Sequence, residues 1–179
     1  MKKAIIIFLS LMMLTATGCS NKKSTSIPSS SVAEAESTVD KLEYEFYIDN
    51  IDYCISNLAT ALDDEVIAIE NEDLDELEKA YKKCIYALED FYEIPCPENI
   101  KTEHEELMTI LEREKKGYEL LLKACDYERN YDNLTATEQE ELKALEDEID
   151  EHFSHIDDSE NMDLWNAKTK VIEAANKFI

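Results

Sequence analysis

The sequence predicts an all-α protein: an antiparallel up-and-down bundle of four to five helices on a flexible N-terminal tether. Three observations carry this reading. Helix breakers are scarce, with only two glycines (Gly18, Gly117) and three prolines (Pro28, Pro95, Pro97) in 179 residues. The remainder is rich in Glu, Leu, Lys and Ala, which all favour helix. From residue 39 onward, apolar residues recur at spacings of three and four, the period of one helix face.

The chain opens Met1-Lys2-Lys3, continues with an apolar run over 4–16, and reaches Thr17-Gly18-Cys19. A basic start, a short apolar core and small residues before the cut site define a secretory signal. The run is shorter than the roughly 20 residues a bilayer-spanning helix needs. The box Ala16-Thr17-Gly18-Cys19 resembles the bacterial lipoprotein signal, with Ala16 where that signal usually has Leu. The resemblance implies cleavage before Cys19, diacylation of Cys19, and a mature protein held at the extracytoplasmic face of the cell membrane. Two acyl chains anchor durably where one is marginal. Residues 19–38 then form a Ser-rich tether with too little apolar surface to offset the entropy of ordering. The predicted organisation is a signal over 1–18, lipidated Cys19 and tether over 19–38, and an acidic helical bundle over 39–179.

The first helix, over 39–70, is set by the stripe Tyr44, Ile48, Ile51, Ile55, Leu58, Leu62. The second, over 73–92, repeats it with Leu74, Leu77, Tyr81, Cys84, Leu88, Phe91. Asn71-Glu72 leaves room for only a tight turn, so the two helices are antiparallel neighbours. Asp73 with Glu76 has the spacing of a capping box. Ile94-Pro95-Cys96-Pro97 breaks the pattern; Pro97 suits the first turn of the third helix, over 97–129, with Cys96 at its N-cap. Ile100, His104, Leu107, Leu111, Tyr118, Leu121, Leu122 and Cys125 stripe that helix. The stripe fails at Glu114-Lys115, near Gly117, which marks a kink, a thin place in the core, or the level where partner helices end. Thr137 with Glu140 offers a capping box for the fourth helix, striped by Leu142, Leu145, Ile149, Phe153 and Ile156. Asp157-Asp158-Ser159 reads as a stop and restart. Residues 159–179 are then either a separate fifth helix or a bent continuation.

The stretch Ile94-Pro95-Cys96-Pro97-Glu98-Asn99-Ile100, followed by His104 and Leu107, resembles a turn-helix found in small all-helical lipoproteins of low-GC Gram-positive bacteria. That resemblance implies a cell-surface location and carries no activity.

Forty-two Asp and Glu face 18 Lys and Arg, for a net charge of −24. Nucleic acid needs a basic footprint and is not an expected partner. A protein or cationic partner would be steered toward this surface.

Four cysteines remain beyond Cys19. Helix rise puts Cys54 about 26 Å, Cys84 about 17 Å and Cys96 roughly 30 Å from the 71–72 turn, with Cys125 about 42 Å up the third helix. Only Cys54 and Cys96 then fall within the roughly 7 Å of Cα separation a disulfide tolerates. Cys96 at a helix N-terminus would also be favoured as thiolate, although Glu98 opposes this. Cys84 and Cys125 read as small core hydrophobes.

His104-Glu105-Glu106-Leu107-Met108 begins like the metalloprotease helix motif, but the second His is Met108. Glu148, Glu151, His152, His155 and Asp158 share a helix surface by spacing, yet no Glu precedes any His by three positions, as a di-iron bundle requires. The acids of 63–76 lack the glycine and spacing of a calcium loop. The sequence therefore predicts no catalytic residues, no metal site and no cofactor. It predicts a lipid-anchored, non-enzymatic interaction protein, with a small-ligand or cation-binding lipoprotein as the alternative.

Overall fold

The computed structural model describes residues 32–154 and 164–179, residues 32–40 by their backbone alone. The helices are α1 (Val32–Glu70), α2 (Leu74–Glu89), α3 (Lys101–Arg129), α4 (Ala136–Ser154) and α5 (Leu164–Ala175). Short 3-10 turns flank them at Asp90–Glu93, Glu98–Ile100, Tyr131–Asn133 and Asn176–Phe178. The fold is an all-α bundle, and no strand occurs among the described residues.

The backbone of α1 begins at Val32, inside the span assigned to the tether. Its C-terminus closes with Glu72 N–H donating to Ile69 O at 3.1 Å and Asp73 N–H to Ala68 O at 3.0 Å. That pattern requires a left-handed residue at the first position past the helix; Glu72 supplies it at φ 53°. Asp73 then caps α2, its Oδ1 accepting from the Asp75 and Glu76 amides at 3.1 Å each. Half of the expected capping box forms. The Glu76 carboxylate does not reach back and instead meets Lys79 at 2.6 Å.

Two expected helix starts move. Pro97 is extended at ψ 138° and precedes a 3-10 turn, in which Ile100 N–H donates to Pro97 O at 3.2 Å. The α-helical part of α3 starts at Lys101, so Cys96 is not its N-cap. The α4 capping box uses Thr135 and Glu138 rather than Thr137 and Glu140. Thr135 N–H donates to Glu138 Oε2 at 2.7 Å and Glu138 N–H to Thr135 Oγ1 at 3.3 Å. Both pairs fit the same sequence pattern, and the earlier one satisfies the donors of the first turn.

Side-chain pairs fix the direction of each column. Tyr47 meets His104 and Glu65 meets Tyr118, so α1 and α3 run parallel. Asp64 meets Lys83, so α2 runs antiparallel to α1. α1 and α2 are the most extensively packed pair, with Ala61, Ala68, Ala80 and Ala87 buried between large side chains. The fourth column is made of two helices. Along α3, α4 descends through Tyr127–Glu141, Lys116–Glu148 and His152 on the Arg113 carbonyl. α5 continues the descent with Lys170 on Glu106 and Phe178 stacked on Tyr44 at 4.8 Å. α4 packs chiefly against α3, whereas α5 bridges α3 and α1. The final segment is thus a separate helix that prolongs the column of α4. The expected stop at Asp157-Asp158-Ser159, and Ile156 with it, lies outside the described residues.

The stripe failure at Glu114 has its explanation here. His152 of α4 lies against Arg113, and Lys170 of α5 against Glu106. Glu114 therefore sits at the level where the fourth column changes from one helix to the next. Gly117 lies beside it because α3 and α4 approach closely there. A Cβ on Gly117 would stand 2.8 Å from Phe153 Cζ and 3.1 Å from His152 Nε2.

Candidate functional site

Among the described residues two carboxylates are buried, Glu65 at 8 % and Glu114 at 6 % exposure. Both lie on core stripes by spacing. Glu65 follows Leu58 by seven residues, and Glu114 sits three after Leu111 and four before Tyr118. An acid at a stripe position is the sequence signal that marks them: the stripe failure at Glu114 shows one, and reading the first helix by its apolar members alone passes over Glu65.

Glu65 projects from α1 toward Tyr118 of α3, whose hydroxyl donates to Oε2 at 3.4 Å. Tyr118 also meets the Cys84 thiol of α2, and its ring lies 5.9 Å from that of Tyr81. Among the described residues no cation is paired with Glu65. Burial pushes its carboxyl up to about 7, against the Tyr118 hydrogen bond, which lowers it. Burial, then the Glu65 charge, pushes Cys84 up to about 12 and holds Tyr118 well above the usual phenol range. Each group of the cluster therefore favours its neutral form, as desolvation demands. Glu114 is held differently, by Arg113 Nη2 at 3.0 Å.

A second polar set lies where α1, α3 and α5 meet. Tyr47 is 1 % exposed and its hydroxyl lies 2.9 Å from His104 Nδ1. Burial raises Tyr47 and lowers His104, so both groups favour their neutral forms across this hydrogen bond. Asn99 Nδ2 donates to the Tyr44 hydroxyl at 3.0 Å. His104 is thereby a polar member of the core rim.

The four described thiols are free. Cys96 is half-buried, while Cys54, Cys84 and Cys125 are buried. Cys96 does not face the free amides of a helix start; its Sγ donates to Pro97 O at 3.3 Å. Burial, then Glu105, raises its pKa, so the expected thiolate-favouring setting is absent. Nor do Cys54 and Cys96 share a level. Cys54 feels the charge of Asp90, whereas Cys96 acts on Tyr47 and feels Glu43. Tyr47 and Cys54 are two turns apart on α1, about 10 Å. The irregular segment 94–100 carries Cys96 further along α1 than helix rise to residue 92 suggests.

Among the described residues, no three His, Cys, Asp or Glu side chains lie together as metal ligands. His152 is engaged with the Arg113 carbonyl at 3.0 Å and Glu148 with Lys116 at 3.4 Å; His155 and Asp158 lie outside the described residues. The acids at the α1–α2 turn are partly neutralised. Arg129 reaches Asp75 at 2.9 Å and Glu78 at 2.5 Å, and Lys83 reaches Asp64 at 2.6 Å. Lys82, then Arg129, holds Glu78 below the usual carboxylate range. A crevice of about 120 Å³ beside this turn is lined by Asp64, Ile67, Asp73, Glu76, Lys79 and Lys83. Small-molecule sites usually measure about 300–1,000 Å³.

No helix among the described residues is long and apolar enough to cross a membrane. Cys19 lies outside them. Compared with known proteins, the chain matches no family model, no curated protein and no solved structure.

Proposed function

We propose that this chain is a lipid-anchored extracytoplasmic protein with a non-enzymatic role, presenting an acidic helical bundle to a protein or peptide partner. The observation that carries the reading is the contrast between interior and surface. The large side chains Tyr47, Phe91, Ile51, Leu88 and Leu107 are fully buried in a continuous core, the hollows at the turn are a crevice of about 120 Å³ and a shallow groove of about 650 Å³ over Leu74 and Arg129 that lies open to solvent, and the described acids other than Glu65 and Glu114 lie outside the core. A filled interior favours recognition by surface over capture of a small molecule. The anchor rests on the Gly18-Cys19 junction after a short apolar run.

Detergent phase partitioning of labelled cells tests the anchor. Wild type is expected in the detergent phase with acyl mass on Cys19, and Cys19→Ala in the aqueous phase. Wild type in the aqueous phase with an unmodified Cys19 refutes it. The cation-binding alternative draws on Asp64, Asp73 and Glu76 around the crevice, but Lys79 and Lys83 share its wall and oppose a cation. Titration calorimetry at physiological salt separates the two. Weak, unselective heats fit surface charge, and a stoichiometric micromolar site for one divalent ion establishes the alternative.

A further inference from the structure

α1 carries a second seam opposite its buried one. It advances by alternate steps of four and three through Leu42, Phe46, Asp49 and Tyr53, then through Ser56 and Thr60 to Asp63 and Ile67, and every one of these residues is exposed. The large apolar members are each more than half exposed: Leu42 62 %, Phe46 58 %, Tyr53 64 % and Ile67 55 %. Alternate steps of four and three are the spacing by which one helix meets another along its length. Single apolar residues on a surface are ordinary. Leu42, Phe46 and Tyr53 stand together over about three turns, and Ile67 closes the seam about 38 Å from Leu42, beyond the polar positions Ser56, Thr60 and Asp63.

Charge selects the occupant. Asp49 and Asp63 sit inside the seam, between the apolar positions, and neither is ion-paired among the described residues. A second copy of the chain would bring another net −24 against them, and anionic lipid would be repelled likewise. A helix with apolar residues at the same steps, and Lys or Arg opposite the two aspartates, gains from both features.

The geometry points to the outer seam of α1 as the docking face for a basic amphipathic helix of a partner. Leu42, Phe46, Tyr53 and Ile67 are its apolar contacts, and Asp49 and Asp63 read the basic residues. This deepens, and rests on, the interaction role proposed above.

The test uses the full chain and two synthetic helices of about four heptads, the length that spans the seam. One has Leu at its a and d positions with Lys elsewhere; the other replaces every Lys by Glu. At physiological salt the Leu/Lys helix binds wild type and the Leu/Glu helix does not. Leu42→Ala/Phe46→Ala/Tyr53→Ala, with circular dichroism unchanged, weakens the Leu/Lys helix about tenfold or more. Asp49→Lys/Asp63→Lys weakens it as well and admits the Leu/Glu helix. Tyr86→Ala/Tyr92→Ala, also exposed on the neighbouring hairpin arm, leaves binding unchanged. Equal affinity for wild type and the triple alanine variant means attraction by bulk charge only, and overturns the seam. So does a wild-type dimer in sedimentation that the triple alanine variant abolishes. Photocrosslinkers at positions 53 and 86 in cells separate this inference from the reading beneath it. A partner captured through 86 and not 53 overturns the seam and spares the interaction role, whereas no partner through either counts against both.

Discussion

α1, α2 and α3 run the length of the bundle, but its two halves are built differently around them. In the half closed by α5, Ile51, Leu88, Phe91, Ile100, Leu107, Leu111 and Val171 are all completely buried. The polar members there, Tyr47 with His104 and Tyr44 with Asn99, are hydrogen-bonded in pairs, and among the described residues no carboxylate is buried with them. In the half flanked by α4, the same three helices carry Glu65, Tyr81, Tyr118 and Glu114 in the interior, and Leu145 retains 9 % exposure. The difference follows from the fourth column. α5 touches both α1 and α3 and completes the apolar seal, whereas α4 rests chiefly on α3. Where the fourth side is less tightly closed, a lone carboxyl can persist in the core, neutral rather than paired.

The largest effect expected of this contrast is a cavity. Phe91→Ala should cost about 3–5 kcal/mol, because the site is sealed on every side. Leu145→Ala should cost about 2 kcal/mol, the low end for its type. Urea denaturation measures both, and equal losses would break the comparison.

Glu65→Gln should raise stability at pH 8 by roughly 3 kcal/mol. The carboxyl keeps its proton to about pH 7 in the fold, but only to the ordinary carboxylate range when unfolded. Between those values the folded state holds more protons. Its contribution is fully present below the lower value and is lost as pH rises through the upper one. The variant should flatten this decline between pH 5 and pH 8. His104, whose pKa burial lowers, pulls both curves the other way, so the difference between variant and wild type is the readout; parallel curves over pH 5 to 8 would show that Glu65 is not held neutral.

Gly117→Ala pits a gain in helix propensity of up to about 1 kcal/mol against displacement of Phe153. A net loss of about 1 kcal/mol is expected, and Phe153→Leu should rescue it, since the clash is with the far end of that ring. The smallest effect is Thr135→Ala, at about 1 kcal/mol or less. It should speed amide exchange in the first turn of α4 and leave the α5 half unchanged. If exchange also rises in α5, the two pieces of the column open together.

What was legible in the sequence follows the same division. The apolar stripes place the core of the α5 half well: Tyr44, Ile51, Leu58, Leu88, Phe91, Leu107 and Leu111 are all buried as their spacing requires. Periodicity sees only apolar residues, so Glu65 is hidden by its own chemistry although it occupies a stripe position, and Glu114 shows only as a break in the stripe, not as a buried acid. Capping patterns are degenerate where threonines alternate, which is why Thr135 and not Thr137 begins α4. Helix rise extrapolates safely along a helix and fails across 94–100, where Pro97 and the turn after it displace Cys96. That α4 and α5 share one column is a tertiary fact; nothing in either segment states which neighbour the other will use.

One feature of α1 has a mechanical consequence. The helix is 39 residues long, about 58 Å, and Phe178 stacks on it at Tyr44. Roughly 18 Å of helix therefore runs beyond that level, continuous with the longest rod of the bundle. Tension applied at residue 32 travels down the axis of α1 and loads its contacts with α2 and α5 together, in shear, so that many must slip at once. Tension applied at Ile179, at the same end of the bundle, loads only the 12-residue α5, whose shorter row of contacts slips first. The molecule is thus stiff when pulled from its N-terminal side and yielding when pulled from its C-terminal side, and pulling it from each terminus in turn measures the difference as two rupture forces.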